Sequence, residues 1–222
     1  MGQLIEFSSS VGTCSGYLAA PDNKGPAVVV IQEWWGLVDH IKDVCDRLAA
    51  QGFVALAPDL YHGATTVEPD EAGKMLMQLK IDGAIEDMSG AVKYLRSSPA
   101  VDPVKVGCIG FCMGGGLSLT LSAVAHIDAA VVYYGLPSRS PDYSNIKGAV
   151  LGHYADHDDW ASGDRATQLF DDLSSQGVDA QMYVYPDTSH AFFNDSRPEA
   201  YADEAAKLSW ERTLSFFRKH LA

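Results

Sequence analysis

Residues 104–116 constrain what this chain can fold into more than any other stretch. Val104-Lys105-Val106-Gly107-Cys108-Ile109 reads as a buried strand, Gly110-Phe111-Cys112-Met113-Gly114 as a sharp turn, and 113–124 as a helix. The turn has the form G-x-nucleophile-x-G, a strand-to-helix elbow with cysteine in place of the more usual serine. A turn this tight holds its central residue in a strained conformation, and side chains two residues either side would collide with it. It also sets the Cys112 thiol at a helix N-terminus, where N–H groups and the dipole favour a thiolate. Cys112 is therefore the candidate nucleophile.

The rest of the chain alternates strand and helix. Residues 3–7 and 13–19 form an expected hairpin, and Ala27-Val28-Val29-Val30-Ile31 is a continuous run typical of a strand buried on both faces. Ile41, Val44, Leu48 and Ala49 recur at helical spacing over residues 40–51, with Gly52 closing that helix. Strands are expected at 53–57, 127–134, 148–154 and 180–185, and helices at 69–80, 83–97, 162–176 and 200–220. This pattern predicts an α/β fold of the α/β-hydrolase type. Its central sheet is mostly parallel, helices cover both faces, and residues 1–222 form a single domain with no large cap.

A thiol needs a base, and the base needs an orienting acid. In this architecture both follow the nucleophile in the order acid, then histidine, in loops at strand C-terminal ends. Asp156, Asp158 and Asp159 follow the strand at 148–154, and His190 follows the strand at 180–185. Asp158, in mid-loop, is the favoured acid; Asp156 or Asp159 is an alternative cap for the next helix. His190 is the expected base. His153 and His157 straddle a strand end and share no face, so they read as ordinary polar loop residues, and no metal or cofactor is expected.

Gln32-Glu33-Trp34-Trp35-Gly36 closes the first long buried strand. In this architecture that loop supplies one oxyanion N–H and the residue after the nucleophile the other, here Trp34 and Met113. Glu33 at a buried strand end needs a partner, and a salt bridge to a nearby Lys or Arg is the bland reading. Trp35, Trp160, Phe192 and Arg197 are candidate pocket residues.

The formal charge of −13 with no basic cluster argues against nucleic acid or an anionic membrane as partner. No apolar run approaches the ~18 residues of a membrane span, and residues 1–7 lack a signal-peptide pattern. Four scattered cysteines fit no disulfide framework, which points to a reduced, cytoplasmic setting. Nothing specifies more than a monomer or a small homo-oligomer.

Over nearly its whole length the chain resembles the dienelactone hydrolase family. The resemblance is carried by Gln32-Glu33-Trp34-Trp35-Gly36, Ala57-Pro58-Asp59-Leu60-Tyr61, Gly110-Phe111-Cys112-Met113-Gly114-Gly115, the Asp158 loop and His190-Ala191-Phe192-Phe193-Asn194. It implies a Cys112–His190–Asp158 triad acting on a small lactone or ester through a thioester. It also implies that Glu33 touches the thiol until substrate arrives. Family members that take dienelactone clamp its carboxylate with two arginines. Here the position four past His190 is Asn194, and the helix near 69–80 offers only Lys74 and Lys80. A broad short-chain carboxylesterase is the alternative, and a non-catalytic protein that senses or binds through an oxidisable Cys112 is a third reading.

Overall fold

The computed structural model describes residues 2–222. The chain divides into two compact units, Met1–Cys108 and Ile109–Ala222. In the first, β1 (Gln3–Ser9) and β2 (Gly12–Ala19) form an antiparallel hairpin whose register runs from Gln3 opposite Leu18 to Ser9 opposite Gly12. β2 also pairs antiparallel with β4 (Val54–Pro58), and β3 (Gly25–Ile31) pairs parallel with β4, setting Val28 opposite Ala55. Every residue of β3 except Pro26, and every residue of β4, is buried. That burial is why both read as unbroken apolar runs rather than alternating ones.

Three helices belong to this unit: α1 (Asp39–Ala50), α2 (Pro69–Gln78) and α3 (Ile81–Ser97). α1 buries Ile41, Val44, Cys45 and Leu48 along one stripe. At its end Gly52 adopts φ +91°, and the N–H groups of Gly52 and Phe53 bond the carbonyls of Ala49 and Leu48. This is a Schellman close, for which glycine carries no Cβ penalty.

β5 (Val101–Phe111) runs across the division. The second unit continues with α4 (Met113–Val124), β6 (Ala129–Tyr133), β7 (Ala149–His157), α5 (Gly163–Ser175), β8 (Ala180–Ser189) and α6 (Asp203–Leu221). β6, β7 and β8 are parallel neighbours, with Tyr133 opposite His153 and His153 opposite Tyr183. The strands are hydrogen-bonded in the order β1-β2-β4-β3-β5-β6-β7-β8. The expected mostly parallel α/β architecture is therefore observed. Among the described residues no helix is long and apolar enough to cross a membrane.

Two strands run further than their apolar stretches. β7 continues to His157 through a bulge, and β8 continues through Pro186-Asp187-Thr188-Ser189. The extension has a local cause. Asp156 accepts hydrogen bonds from the N–H groups of Asp187 (2.9 Å) and Thr188 (3.1 Å), so a side chain does the work of the ladder there. Asp156 is thus a strand clasp and not a helix cap. The expected helix at 162–176 starts at Gly163, with Ser162 as its N-cap.

Candidate active site

Cys112 stands between β5 and α4 at φ 54° and ψ −117°. Its N–H donates to the Tyr133 carbonyl (3.0 Å), and its own carbonyl accepts from Gly115 (3.0 Å). A Cβ on Gly110 would run into the carbonyl of Gly114, and one on Gly116 into the carbonyl of Leu136. The glycines therefore allow the elbow to close and α4 to lie against the chain that follows β6. The first turn of α4 carries no acidic residue, so its dipole at Cys112 is uncompensated by side-chain charge in that turn.

Asp158 follows β7 directly and is 5% exposed. Its Oδ1 accepts from the N–H groups of Trp160 (2.8 Å) and Ala161 (2.9 Å), which fixes the carboxylate in the turn. Its Oδ2 lies 2.7 Å from His190 Nδ1. Burial pushes the Asp158 carboxyl up, and the hydrogen bonds from His190, Ala161 and Trp160 outweigh it, leaving the group below its ordinary range. One carboxylate thus both caps its own turn and orients the imidazole.

His190 follows β8. Burial disfavours its imidazolium, but hydrogen bonds with Asp158 and with the Cys112 thiol outweigh burial and hold the ring up at about 10. With Nδ1 committed to Asp158, the thiol is served by the ring's other nitrogen. The Tyr134 ring packs edge-on against the imidazole at 5.1 Å between centroids. Cys112, Tyr134 and Ala191 all hold positive φ, at 54°, 37° and 68°. Strained backbone thus gathers at the ends of β5, β6 and β8, where Cys112 and His190 are presented. Such strain persists only where surrounding structure enforces it.

The structure therefore brings Cys112, His190 and Asp158 together in the second unit. Met113 is the first residue of α4. In the first unit, Glu33 (1% exposed) and the edge-packed pair Trp34 and Trp35 occupy the loop after β3. Gln32 Oε1 accepts the Leu60 N–H (3.1 Å) and ties that loop to the one after β4.

One expectation for the pocket residues is corrected. Phe192 is wholly buried, packed on Tyr133, Tyr134 and Tyr185, and is core. Arg197 forms an ion pair with Glu199 at 2.7 Å. Trp160 is 62% exposed, whereas Trp35 is buried. Asn194 is 1% exposed, and its Oδ1 accepts from both the N–H and the hydroxyl of Ser196.

His153 is also corrected. It is no loop residue but a fully buried member of β7. Nδ1 meets the Tyr185 hydroxyl (2.8 Å) and Nε2 meets Thr213 Oγ1 (3.1 Å), which in turn meets the Tyr133 hydroxyl (2.9 Å). Arg212 donates to the Tyr185 hydroxyl and lies 3.8 Å above the Tyr183 ring. Burial, with the Arg212 charge adding to it, pushes His153 down to about 3. A histidine inside the apolar run Val150–Tyr154 was the signal for this network, since a buried imidazole must find partners. His157, by contrast, is exposed at the strand end.

Residues 14–221 match the model of the dienelactone hydrolase family. The chain belongs to that family. Among relatives, Protein usf of Aquifex pyrophilus is 37% identical over 230 residues, covering 100% of both chains. A candidate carboxymethylenebutenolidase of Aquifex aeolicus (strain VF5) is 35% identical, again over 100% of both. Among solved structures, a candidate dienelactone hydrolase of Klebsiella pneumoniae superposes with a TM-score of 0.87 at 27% identity, over 98% of each chain. Family membership makes this chain a hydrolase of the α/β-hydrolase fold without a large cap, and relates it to enzymes of small lactones and esters.

Proposed function

We propose that this protein hydrolyses small carboxylic esters or lactones through a Cys112–His190–Asp158 triad and a thioester acyl-enzyme. The observation that carries the reading is the hydrogen-bonded series from the Asp158 carboxylate through His190 to the thiol of the elbow cysteine. Acyl transfer needs this order: acid to orient, imidazole to take and return a proton, sulfur to attack. In the first step the Cys112 sulfur adds to the carbonyl carbon, its proton having passed to His190. Collapse expels the alcohol oxygen, which takes the proton from His190 and leaves a thioester. Water, deprotonated by His190, then releases the acid and restores the thiol.

The proposed oxyanion donors are the N–H groups of Trp34 and Met113. Loss of one such donor costs about 3–4 kcal/mol in acyl-transfer systems of this type. Glu33 is proposed to modulate the thiol, and Trp35 and Trp160 to contact substrate. Where the resemblance leads one to look for the arginine clamp of dienelactone-cleaving members, this chain has Asn194, buried and neutral, and Lys74 and Lys80, of which Lys74 is engaged with Glu71 at 3.2 Å. Lysine also lacks the bidentate fork of arginine. This favours esters and lactones without a second carboxylate. We place the enzyme in the cytoplasm, as a monomer or small homo-oligomer without nucleic-acid or membrane partners.

Initial rates on dienelactone and on a short-chain aryl ester test the substrate assignment. The ester is expected to be cleaved at least tenfold faster. A preference for dienelactone would overturn the substrate assignment while leaving the triad intact. A chain that cleaves neither, with Cys112 merely oxidised by peroxide, would support the thiol-sensing reading instead.

A further inference from the structure

The first unit holds a cluster of ligating side chains that the hydrolytic reading does not use. Cys14 on β2, His62 in the turn after β4 and Asp87 on α3 each bring one donor atom to within 4.8 Å of the other two. Cys14 and Asp87 are buried, whereas the His62 side chain is 58% exposed. His62 Nε2 lies 3.2 Å from Asp87 Oδ2. Asp87 Oδ1, although buried, has no hydrogen-bond partner among the described residues. Buried carboxylate oxygens are unfavourable without one. An ion pair with His62 accounts for one oxygen and leaves the other unmatched, while the adjoining thiol donates only weakly, to the carbonyls of Ser15 (3.2 Å) and Asp59 (3.8 Å).

We propose that Cys14, His62 and Asp87 bind a thiophilic divalent cation of the zinc class, with water in the remaining position. Sulfur, imidazole nitrogen and carboxylate oxygen bind zinc at about 2.0–2.3 Å in tetrahedral sites. The three donors lie within 4.8 Å of one another, so a shared ion requires them to close in by side-chain adjustment. Hard cations such as magnesium and calcium take oxygen-only shells, so the thiol excludes them. His62 is held in place by its own turn: Asp59 accepts from the N–H groups of Tyr61 (3.2 Å) and Gly63 (2.6 Å), and the His62 N–H donates to the Asp59 carbonyl (3.2 Å). Its exposure gives the ion a path in from solvent.

Binding replaces the S–H bond of Cys14 by a sulfur–metal bond and releases the proton to solvent. Burial and the Asp87 charge push that thiol up to about 12, so only a cation with strong affinity for sulfur competes with the proton. The three residues come from β2, the loop after β4, and α3. An ion there would tie together three segments far apart in sequence. No two ligands fall within one short motif, which explains why sequence spacing does not reveal them.

The test uses the full chain, stripped with chelator and desalted, in wild-type and Cys112→Ser forms, so that the other reactive thiol is controlled. Cobalt(II) is added as a spectroscopic probe and then displaced with zinc. The expected result is one equivalent per chain in both forms, with a sulfur-to-cobalt charge-transfer band that zinc abolishes. Cys14→Ala should lose the band, and His62→Ala, at a position whose side chain is 58% exposed, should weaken binding at least tenfold, with circular dichroism checking that each variant is folded. The proposal is overturned by an absence of stoichiometric binding, by binding that disappears in Cys112→Ser, or by affinity that His62→Ala leaves unchanged.

Discussion

Cys112 holds a backbone conformation that costs on the order of 1–3 kcal/mol, and its neighbours exist to accommodate it. Gly110 has no room for a methyl group against the Gly114 carbonyl, which is backbone and cannot swing aside. Gly110→Ala is therefore expected to destabilise the fold by about 2–3 kcal/mol through overpacking, read as a lowered midpoint in urea. A midpoint unchanged within error would mean that the elbow is looser than this geometry requires. At the same scale, the meeting of Cys112, His190 and Asp158 was legible in the sequence, because each belongs to a motif or follows a recognisable strand in a fixed order. Phe192 lies in the core rather than in a pocket wall for a physical reason. It adjoins the histidine in sequence, yet the positive φ of Ala191 turns the chain so that Phe192 enters the aromatic core.

At the scale of elements, the buried strands declare themselves and the edge does not. β3, β4 and β6 are unbroken apolar runs. β8 is the last strand in the sheet order, and its polar C-terminal half reads as loop because Asp156, a side chain, holds its backbone. The His153 network joins β6, β7, β8 and α6 through Tyr133, Tyr185 and Thr213. It carries a pH signature. His153 stays neutral in the fold down to about 3, while a free imidazole protonates near 6.5. Between those values the unfolded chain binds a proton that the folded chain does not. Stability contributed by this site therefore falls as pH drops from about 6.5, by up to about 1.4 kcal/mol per pH unit, and is flat above. His190 has the opposite sign: held up at about 10, it contributes fully below about 6.5, and that contribution is lost as pH rises toward 10. Urea midpoints of wild type and His153→Gln from pH 4 to 7 separate the two, since the variant should show the shallower acid slope. Equal slopes would assign the acid sensitivity elsewhere.

For the whole molecule, the boundary between the two compact units falls inside β5, between Cys108 and Ile109, and not in a linker. We propose that residues 1–222 fold as one cooperative domain, because a strand shared by both units cannot form in one alone. Scanning calorimetry should give a single transition with calorimetric and van't Hoff enthalpies in agreement. Two resolved transitions would contradict it. Alternation of strand and helix was enough to read the α/β class, whereas the Cys14–His62–Asp87 cluster needs the assembled first unit before it can be seen. The central step of the proposed reaction is attack of the Cys112 sulfur on a carbonyl. Intact-protein and peptide mass spectrometry after quenching during turnover of a short-chain aryl ester tests that step most directly. The predicted result is one acyl group on Cys112, accumulating in the wild type and absent from Cys112→Ala, which should also lose hydrolysis by at least about 10³-fold. Undiminished hydrolysis by Cys112→Ala, or acylation at another residue, would contradict it.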